Sequence, residues 1–336
     1  MAIDFNKLAI KNAQTTNPLI KETKPSEILQ NEGFKIMEKA YMENDYFLKT
    51  RADNKSFFIT PYPELNELAG DDGIDLGTNL TIGGRPGTGK SLFSLLLAEA
   101  AAGALNNNKF VVVYWNWEMT DSQQILRLIA HKTGEDVGQI RRTYGQEDYR
   151  KRYLEQTAII KELPIIFYSA PITPNMIQKK FNIIQDIYKD KHIINVFDHT
   201  RLVLGDDNKS SEEQKITALY TVCNIIKKRG CINIILSQLN RKLEEFVAQT
   251  GKYRAPLGAD LFGADVTEQM SDSTWILHNP SKYKVKEWYK DFNMTEKIST
   301  EGLLWVDCVK NRNGKMGTVV LEVDFARSSI LPYSRL

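Results

Sequence analysis

The stretch "GGRPGTGKS", Gly83 to Ser91, lies between the apolar run "NLTI" and the helical pattern "LFSLLLAEAAA". From Gly84 onward it matches G-x-x-x-x-G-K-[ST], the pattern of a phosphate-binding loop. Such a loop needs glycine because the backbone wraps the phosphates with its N–H groups turned inward, in conformations that a Cβ obstructs. The helix that follows adds partial positive charge at its N-terminus. Gly84, Arg85, Pro86, Gly87, Thr88, Gly89, Lys90 and Ser91 are therefore expected to hold ATP. Lys90 would reach the β- and γ-phosphates, and the Ser91 hydroxyl would ligate Mg²⁺.

Three later apolar runs each end in one polar residue, and in an open parallel sheet ligands gather at the carboxyl ends of the strands. Asp198, after "IINVF", fits an acid that orders Mg²⁺ through water, although a strand-end turn Asp looks the same. Glu118, after "VVVYWNW", fits a general base that polarises water; alone, it would pass for a helix-start carboxylate. Gln238 in "ILSQLNR" fits a sensor of the γ-phosphate, or a capped strand end.

These residues need a scaffold. From about Phe58 onward, short β-branched runs alternate with helical patterns, the rhythm of βαβ units around a largely parallel sheet. Expected strands are "NLTIGG", "KFVVVYWNW", "LPIIFYSA", "HIINVFD" and "CINIILSQ". Expected helices are "SLFSLLLAEAAAGAL", "DSQQILRLIAHKTG", "PNMIQKKFNIIQDIYKD" and "EEQKITALYTVCNIIKKRG". After Gln269, "DSTWILHN", "LLWVDCVKN" and "GTVVLEVDF" read as consecutive strands, with "NRNGKMG" as a hairpin turn. Residues 1–57 read as an extension carrying one amphipathic helix, "PSEILQNEGFKIMEKAYMEN". It would start at Pro25 and Ser26 and bear a stripe of Leu29, Ile36, Met37, Ala40 and Tyr41. That stripe would pack on its own domain or on a neighbouring subunit. Residues 58–336 read as the ATPase domain.

With 336 residues, 42% apolar and 26% charged, the chain can bury a full core, which excludes a disorder-dominated protein. Lys plus Arg number 44 against 42 Asp plus Glu, so any nucleic-acid contact must be local. Cys223, Cys231 and Cys308 form no C-x-x-C pair, which fits a reducing cytoplasm. No apolar run reaches the roughly eighteen residues of a membrane span, and "MAIDFNKLAIKNAQ" lacks a signal-peptide core, so neither membrane insertion nor secretion is expected. His131, His192, His199 and His278 lack metal-ligand spacing, so zinc is not expected. Trp115 and Trp117 read as packing residues, and "YRKRY", Tyr149 to Tyr153, as a solvated helix face.

Taken in order, these motifs resemble the RecA-like motor domain of DnaB-type replicative helicases of superfamily four, over roughly Phe58 to the C-terminus. "GGRPGTGKS" is similar to that family's Walker A, and "WNWEMTDSQQILRLIA" to its "SLEM" segment, with Glu118 and Arg127. "IINVFDHTRLV" resembles its Walker-B strand, "ILSQLNRKLEE" its sensor strand, and "VKNRNGKMGTVVLEVDF" its basic hairpin. The resemblance implies a RecA-like P-loop NTPase core, mostly parallel, with C-terminal antiparallel strands after a short helical N-terminal segment. It also implies a homo-oligomeric ring, usually of six subunits, with ATP at the junctions and Lys310 and Arg312 acting in trans. Single-stranded DNA would occupy the channel, contacting Arg241, Asp260, Leu261, Phe262 and Gly263, and a primase or a helicase loader would be a further partner.

Two departures shape these expectations. About 58 residues before the motor are too few for the relatives' helical collar; primase coupling through such a collar is not expected, and the chain resembles a phage or plasmid version. Where the family tends to have "DLRESG", this chain has "ADLFGADVTEQ", without the Arg. Backbone N–H groups and Phe262 stacking would then carry the DNA contact. The chain is thus read as an ATP-dependent single-stranded DNA helicase or translocase. The alternatives are a RecA-like recombinase or recombination mediator, and a nucleotide-gated assembly or loading protein that does not translocate.

Overall fold

The computed structural model describes residues 35, 37–52, 56–70, 72–200, 203–205, 210–291 and 293–334. Two compact units divide between Ser56 and Phe57. In the first, helix α1 runs over Met37–Ala52 and exposes Met37, Tyr41, Met42, Tyr46 and Leu48. The expected helix start at Pro25 and Ser26, with Leu29 and Ile36 of its stripe, lies outside the described residues.

The second unit begins with β1 (Phe57–Phe58), which pairs with β2 (Ile74–Asp75) around helix α2 (Pro63–Leu68). Six parallel strands follow: β3 (Asn79–Gly84), β4 (Phe110–Asn116), β5 (Ile165–Tyr168), β6 (His192–Asp198), β7 (Ile232–Gln238) and β8 (Ser273–His278). Between them run α3 (Lys90–Ala102), α4 (Asp121–Thr133), α5 (Val137–Thr143), α6 (Glu147–Gln156), α7 (Pro174–Ile187), α8 (Glu212–Lys227), α9 (Lys242–Thr250) and α10 (Ala264–Met270). A short pair, β9 (Glu287–Tyr289) with β10 (Lys297–Ser299), precedes β11 (Leu303–Asn311), β12 (Gly317–Asp324) and β13 (Ser329–Pro332). The main sheet has nine strands in the order β13-β12-β11-β8-β3-β7-β6-β4-β5. Pairing is parallel from β8 to β5, and β11, β12 and β13 join antiparallel.

Side-chain alternation along each strand sorts the core into two layers. Leu80, Ile82, Val112, Tyr114, Val196 and Leu236 meet Phe93, Leu96 and Leu97 of α3 on one face. Val113, Trp115, Ile193, Phe197 and Ile235 meet Ile177 and Phe181 of α7 and Leu219, Tyr220 and Cys223 of α8 on the other. Burial on both faces explains why these strands read as unbroken apolar runs. Helix starts are chemically marked too: Thr120 with Gln123, and Ser211 with Gln214, form capping boxes at α4 and α8.

Two expectations are corrected. The C-terminal strands are not all consecutive, because β9 and β10 intervene between β8 and β11. The "YRKRY" stretch lies on α6, but Tyr153 is fully buried against Ala130 and Ile140, its hydroxyl donating to Glu135 Oε2 at 2.6 Å. Helical spacing turned that one side chain inward.

Candidate functional site

The loop between β3 and α3 closes on itself. Gly87 and Gly89 take φ of +75° and +96°, values that L side chains rarely adopt, and Gly89 caps α3 without a side-chain hydrogen bond. The first N–H groups of α3 therefore carry no side-chain cap and face the cleft. Lys90 Nζ donates to the carbonyls of Gly84 at 2.8 Å and Arg85 at 3.2 Å. Burial pushes its pKa down to about 8, against the pull of Asp198 and Glu118. Thr88 braces the turn through its hydroxyl, which donates to Arg85 O.

A cleft of ≈ 410 Å³ opens over this loop, lined by Pro86, Gly87, Gly89, Lys90, Ser91 and Leu92 and, across from them, by Glu118, Met119, Arg127 and Gln238. Arg85 is turned elsewhere. Its guanidinium donates to Leu239 O at 2.6 Å and Asn240 O, and it pairs with Glu244, so it ties the loop to the end of β7. Its side chain is thus engaged away from the cleft that its backbone helps to form.

Asp198 lies beneath the cleft, 1% exposed. Its Oδ2 accepts from Tyr114 at 3.3 Å, while Oδ1 is buried without a hydrogen-bond partner among the described residues. Burial raises its pKa from 3.8 to about 6; Glu118 adds to the rise, and hydrogen bonds from Ser91 and Tyr114 and the charge of Lys90 hold it back. Since the folded state holds this proton more tightly than the unfolded state, Asp198 withdraws stability as pH rises from about 4 to about 6. Asp198→Asn is accordingly expected to stabilise the nucleotide-free chain at pH 7.5 by on the order of 1–3 kcal/mol, a rise in Tm of about 2–5 °C. The gain should vanish below about pH 4. Calorimetric melting at both pH values checks this, and an Asn variant melting below the parent at pH 7.5 contradicts it.

His199 joins the site unannounced. Its Nε2 lies 3.1 Å from the Gln238 amide nitrogen and 3.7 Å from Glu118 Oε2, bridging two side chains that the sequence placed on separate strands. A lone His carries no spacing signal, so only the strand order revealed it. Phe325 and Ser328, in the turn from β12 to β13, also line the cleft, with the Phe325 ring against Gly89. Phe325 is the last residue of the final recognisable motif, where it reads only as the end of a strand, and Ser328 follows it; nothing in the local pattern marks either for the cleft.

Lys310 and Arg312 are not brought to this cleft. Gly84 is level with Leu277 on β8, whereas Lys310 is level with Thr274 and Asn311 with Ser273. The run of β3 separates them from the loop, roughly 13 Å of strand rise. Instead Lys310 donates to Glu268 O, and Arg312 donates to Gln269 O at 2.8 Å and pairs with Asp272 at 3.0 Å.

The loop expected to contact DNA is bonded to the end of β7. Phe262 N–H donates to Gln238 O at 2.9 Å, Asn240 N–H to Asp260 O at 2.7 Å, and Leu239 bridges Leu261. Asp260 is buried; its carboxylate takes a two-pronged ion pair from Arg254 and the Leu257 N–H. Leu261 is buried over Gly83. Both side chains are committed internally; Phe262 is half-buried and packs against the core shared by α7 and α8, Gly263 is half-buried, and Arg241 is exposed.

A family model, the DnaB-like helicase C terminal domain, matches residues 59–329. The chain is 24% identical to the replicative DNA helicase DnaB of Buchnera aphidicola subsp. Acyrthosiphon pisum (strain APS) over 312 residues, 86% of this chain and 62% of that protein. It is 25% identical to a probable replicative DNA helicase of Trieres chinensis over 260 residues, 76% and 53% of the two chains. The chain thus spans between about half and three fifths of these relatives. Among solved structures, an isolated ATPase domain superposes with a TM-score of 0.72 at 21% identity, covering 90% of this chain and all of that one. A DnaB-like replicative helicase, described with its interactions with primase, superposes with the same score at 20% identity, covering 98% and 75%. The fold is that of these RecA-like ATPase domains, and the chain belongs to the DnaB-like helicase C-terminal domain family.

Proposed function

We propose that this chain is an ATP-driven motor on single-stranded DNA that works as a homo-oligomeric ring, in the manner of a replicative helicase, in a cytoplasmic setting. One observation carries the reading. A complete phosphate loop with carboxylate and amide partners lies at one end of the sheet, while Lys310 and Arg312 lie at the other, beyond reach of their own cleft. Two such half-sites are useful only if a second copy brings its hairpin to this copy's nucleotide. Family membership supports the same arrangement. The free, buried cysteines and the absence, among the described residues, of any helix able to cross a membrane are compatible with it.

In this reading Lys90 and the N-terminus of α3 balance the triphosphate charge. Glu118, 47% exposed at the cleft mouth, takes the proton of the attacking water. His199 holds Glu118 and Gln238 in register, and Phe325 offers a flat face to the base. The residues present fit a divalent cation: Asp198 Oδ1 is unpartnered, the Ser91 side chain favours the charged form of the same carboxylate, and no denser cluster of metal ligands occurs among the described residues. Mg²⁺ characteristically takes one or two protein oxygens together with phosphate and water, and when bound it would neutralise phosphate charge. Arg312 from the neighbour, with Lys310, stabilises charge on the transferring phosphoryl group.

Gln238 has two faces. Its side chain looks into the cleft, and its carbonyl holds the N–H of Phe262, so loss of phosphate has a direct route to the DNA-side loop. Phe262→Ala should therefore weaken oligo-dT binding about tenfold, since stacking on one base is worth roughly 1–3 kcal/mol. Fluorescence anisotropy at fixed salt reads this, and unchanged affinity removes Phe262 from the DNA site. The reading as a whole is tested by ATP turnover with and without oligo-dT and by unwinding of a forked duplex. Strand exchange without unwinding would favour a recombinase, and turnover indifferent to DNA would favour a loading protein.

A further inference from the structure

Helix α10 has a different partner at each end. At its start, Gly263 takes φ of +64° directly after Phe262, whose N–H is held by Gln238 O. At its end, the carbonyls of the last turn have no acceptor role within the helix and carry partial negative charge. Lys310 donates to the carbonyl of Glu268, and Arg312 Nη2 donates to that of Gln269. Arg312 Nη1 reaches Asp272 Oδ1 at 3.0 Å, and the Arg312 N–H donates to Asp272 O at 2.9 Å. The other oxygen of Asp272 accepts from Lys227 Nζ at 2.6 Å and from the N–H of Asn79, the first residue of β3, at 2.8 Å.

Both hairpin cations are thus held by one short segment, 268–272, and that segment continues into the loop assigned to DNA. The seven residues of α10 span about 10 Å. Thr267 is fully buried, and Val266 and Met270 pack on the core that α8 shares, so the helix has little freedom to bend. A displacement at Phe262 passes through Gly263 to the carbonyls of Glu268 and Gln269, because the two turns of α10 start directly after Gly263.

We propose that Asp272 and the last carbonyls of α10 are the clamp that positions Lys310 and Arg312, and that α10 carries the state of the DNA-side loop to the neighbouring subunit's nucleotide. The inference rests on the trans role of the two cations and adds what aims them. Asp272 is a positioning residue: it touches Arg312 and no reacting group. DNA bound at one subunit would then set the rate of hydrolysis at the adjoining junction, through a solid element within one chain.

The test uses the full chain, ATP and oligo-dT. Asp272→Asn preserves size but removes the charge that Arg312 faces; it is expected to lower DNA-stimulated kcat by about tenfold or more, with the KM for ATP within about twofold of the parent. Asp272→Glu should recover part of the loss. Lys227→Met strips the carboxylate of its other cation while sparing the bonds to Arg312, and should retain turnover within about twofold. A purely architectural Asp272 would make the Asn and Met variants equally slow, and parental kcat in Asp272→Asn would overturn the clamp. In the unaltered chain, which cannot fail to fold through substitution, oligo-dT is expected to change amide hydrogen exchange at 266–272 and at 310–316 together. A change in the first segment alone, or in neither, overturns the transmission by α10. Should Arg312→Ala hydrolyse ATP at the parental rate, the trans reading itself falls and the clamp falls with it; slow Arg312→Ala beside parental Asp272→Asn removes only the clamp.

Discussion

Glu118→Gln is expected to bind ATP with nearly parental affinity and to lose turnover by about 10²–10⁴-fold, the usual worth of a positioned general base. The substitution keeps the shape of the side chain at the cleft mouth but supplies an amide that cannot accept a proton at neutral pH. Lys90→Ala should behave differently. Lys90 is 8% exposed and already paired to the Gly84 and Arg85 carbonyls, so its ammonium is a buried charge waiting for an anion. With its pKa lowered to about 8 by burial, it is still mainly protonated at pH 7. Removing it leaves phosphate charge uncompensated in the cleft, and binding itself should fall by about a hundredfold or more. Titration with a fluorescent ATP analogue, set beside steady-state turnover, separates the two. If Glu118→Gln hydrolyses ATP at the parental rate, the base is another carboxylate.

Much of this site was legible in the residues alone because its parts are local. The β3 run ends in glycines, the β6 run in Asp198, and α3 begins at once after the loop, so one strand-turn-helix unit announces itself. The runs "NLTIGG", "HIINVFD" and "LLWVDCVKN" became strands with the same bounds, since burial on both faces demands apolar residues throughout and polar ones at the ends. What was not legible is relational. That β7 lies between β3 and β6, so that Gln238, His199 and Glu118 meet, depends on strand order, which no local pattern encodes. Arg85 sits inside the loop motif, yet its long side chain leaves for Glu244. The two- and three-residue strands β1, β2, β9 and β10 are too short to develop a period. Asp260 and Leu261 were singled out by position in a motif, but their burial follows from Arg254 and Gly83, residues outside it.

Arg312→Ala should lower turnover by on the order of 10³ or more, the scale of an arginine that stabilises a transferring phosphoryl group, and change nucleotide affinity little. Affinity is spared because such an arginine acts mainly on charge that develops in the transition state, so its loss lowers turnover more than ground-state binding. Arg312 is also an anchor, through Asp272 and Gln269 O, so melting of the variant must be compared with the parent to separate a loose hairpin from a missing charge.

The central claim is that two chains share each site, and mixing tests it directly. Arg312→Ala subunits retain an intact phosphate loop, and Lys90→Ala subunits retain an intact hairpin. Each alone should be nearly inactive. Once mass spectrometry has shown that subunits exchange, the mixture should regain part of the parental ATPase activity, because some junctions then join a good loop to a good Arg312. A mixture that exchanges subunits and stays as inactive as its components would contradict the shared site, and with it the motor mechanism proposed for this chain.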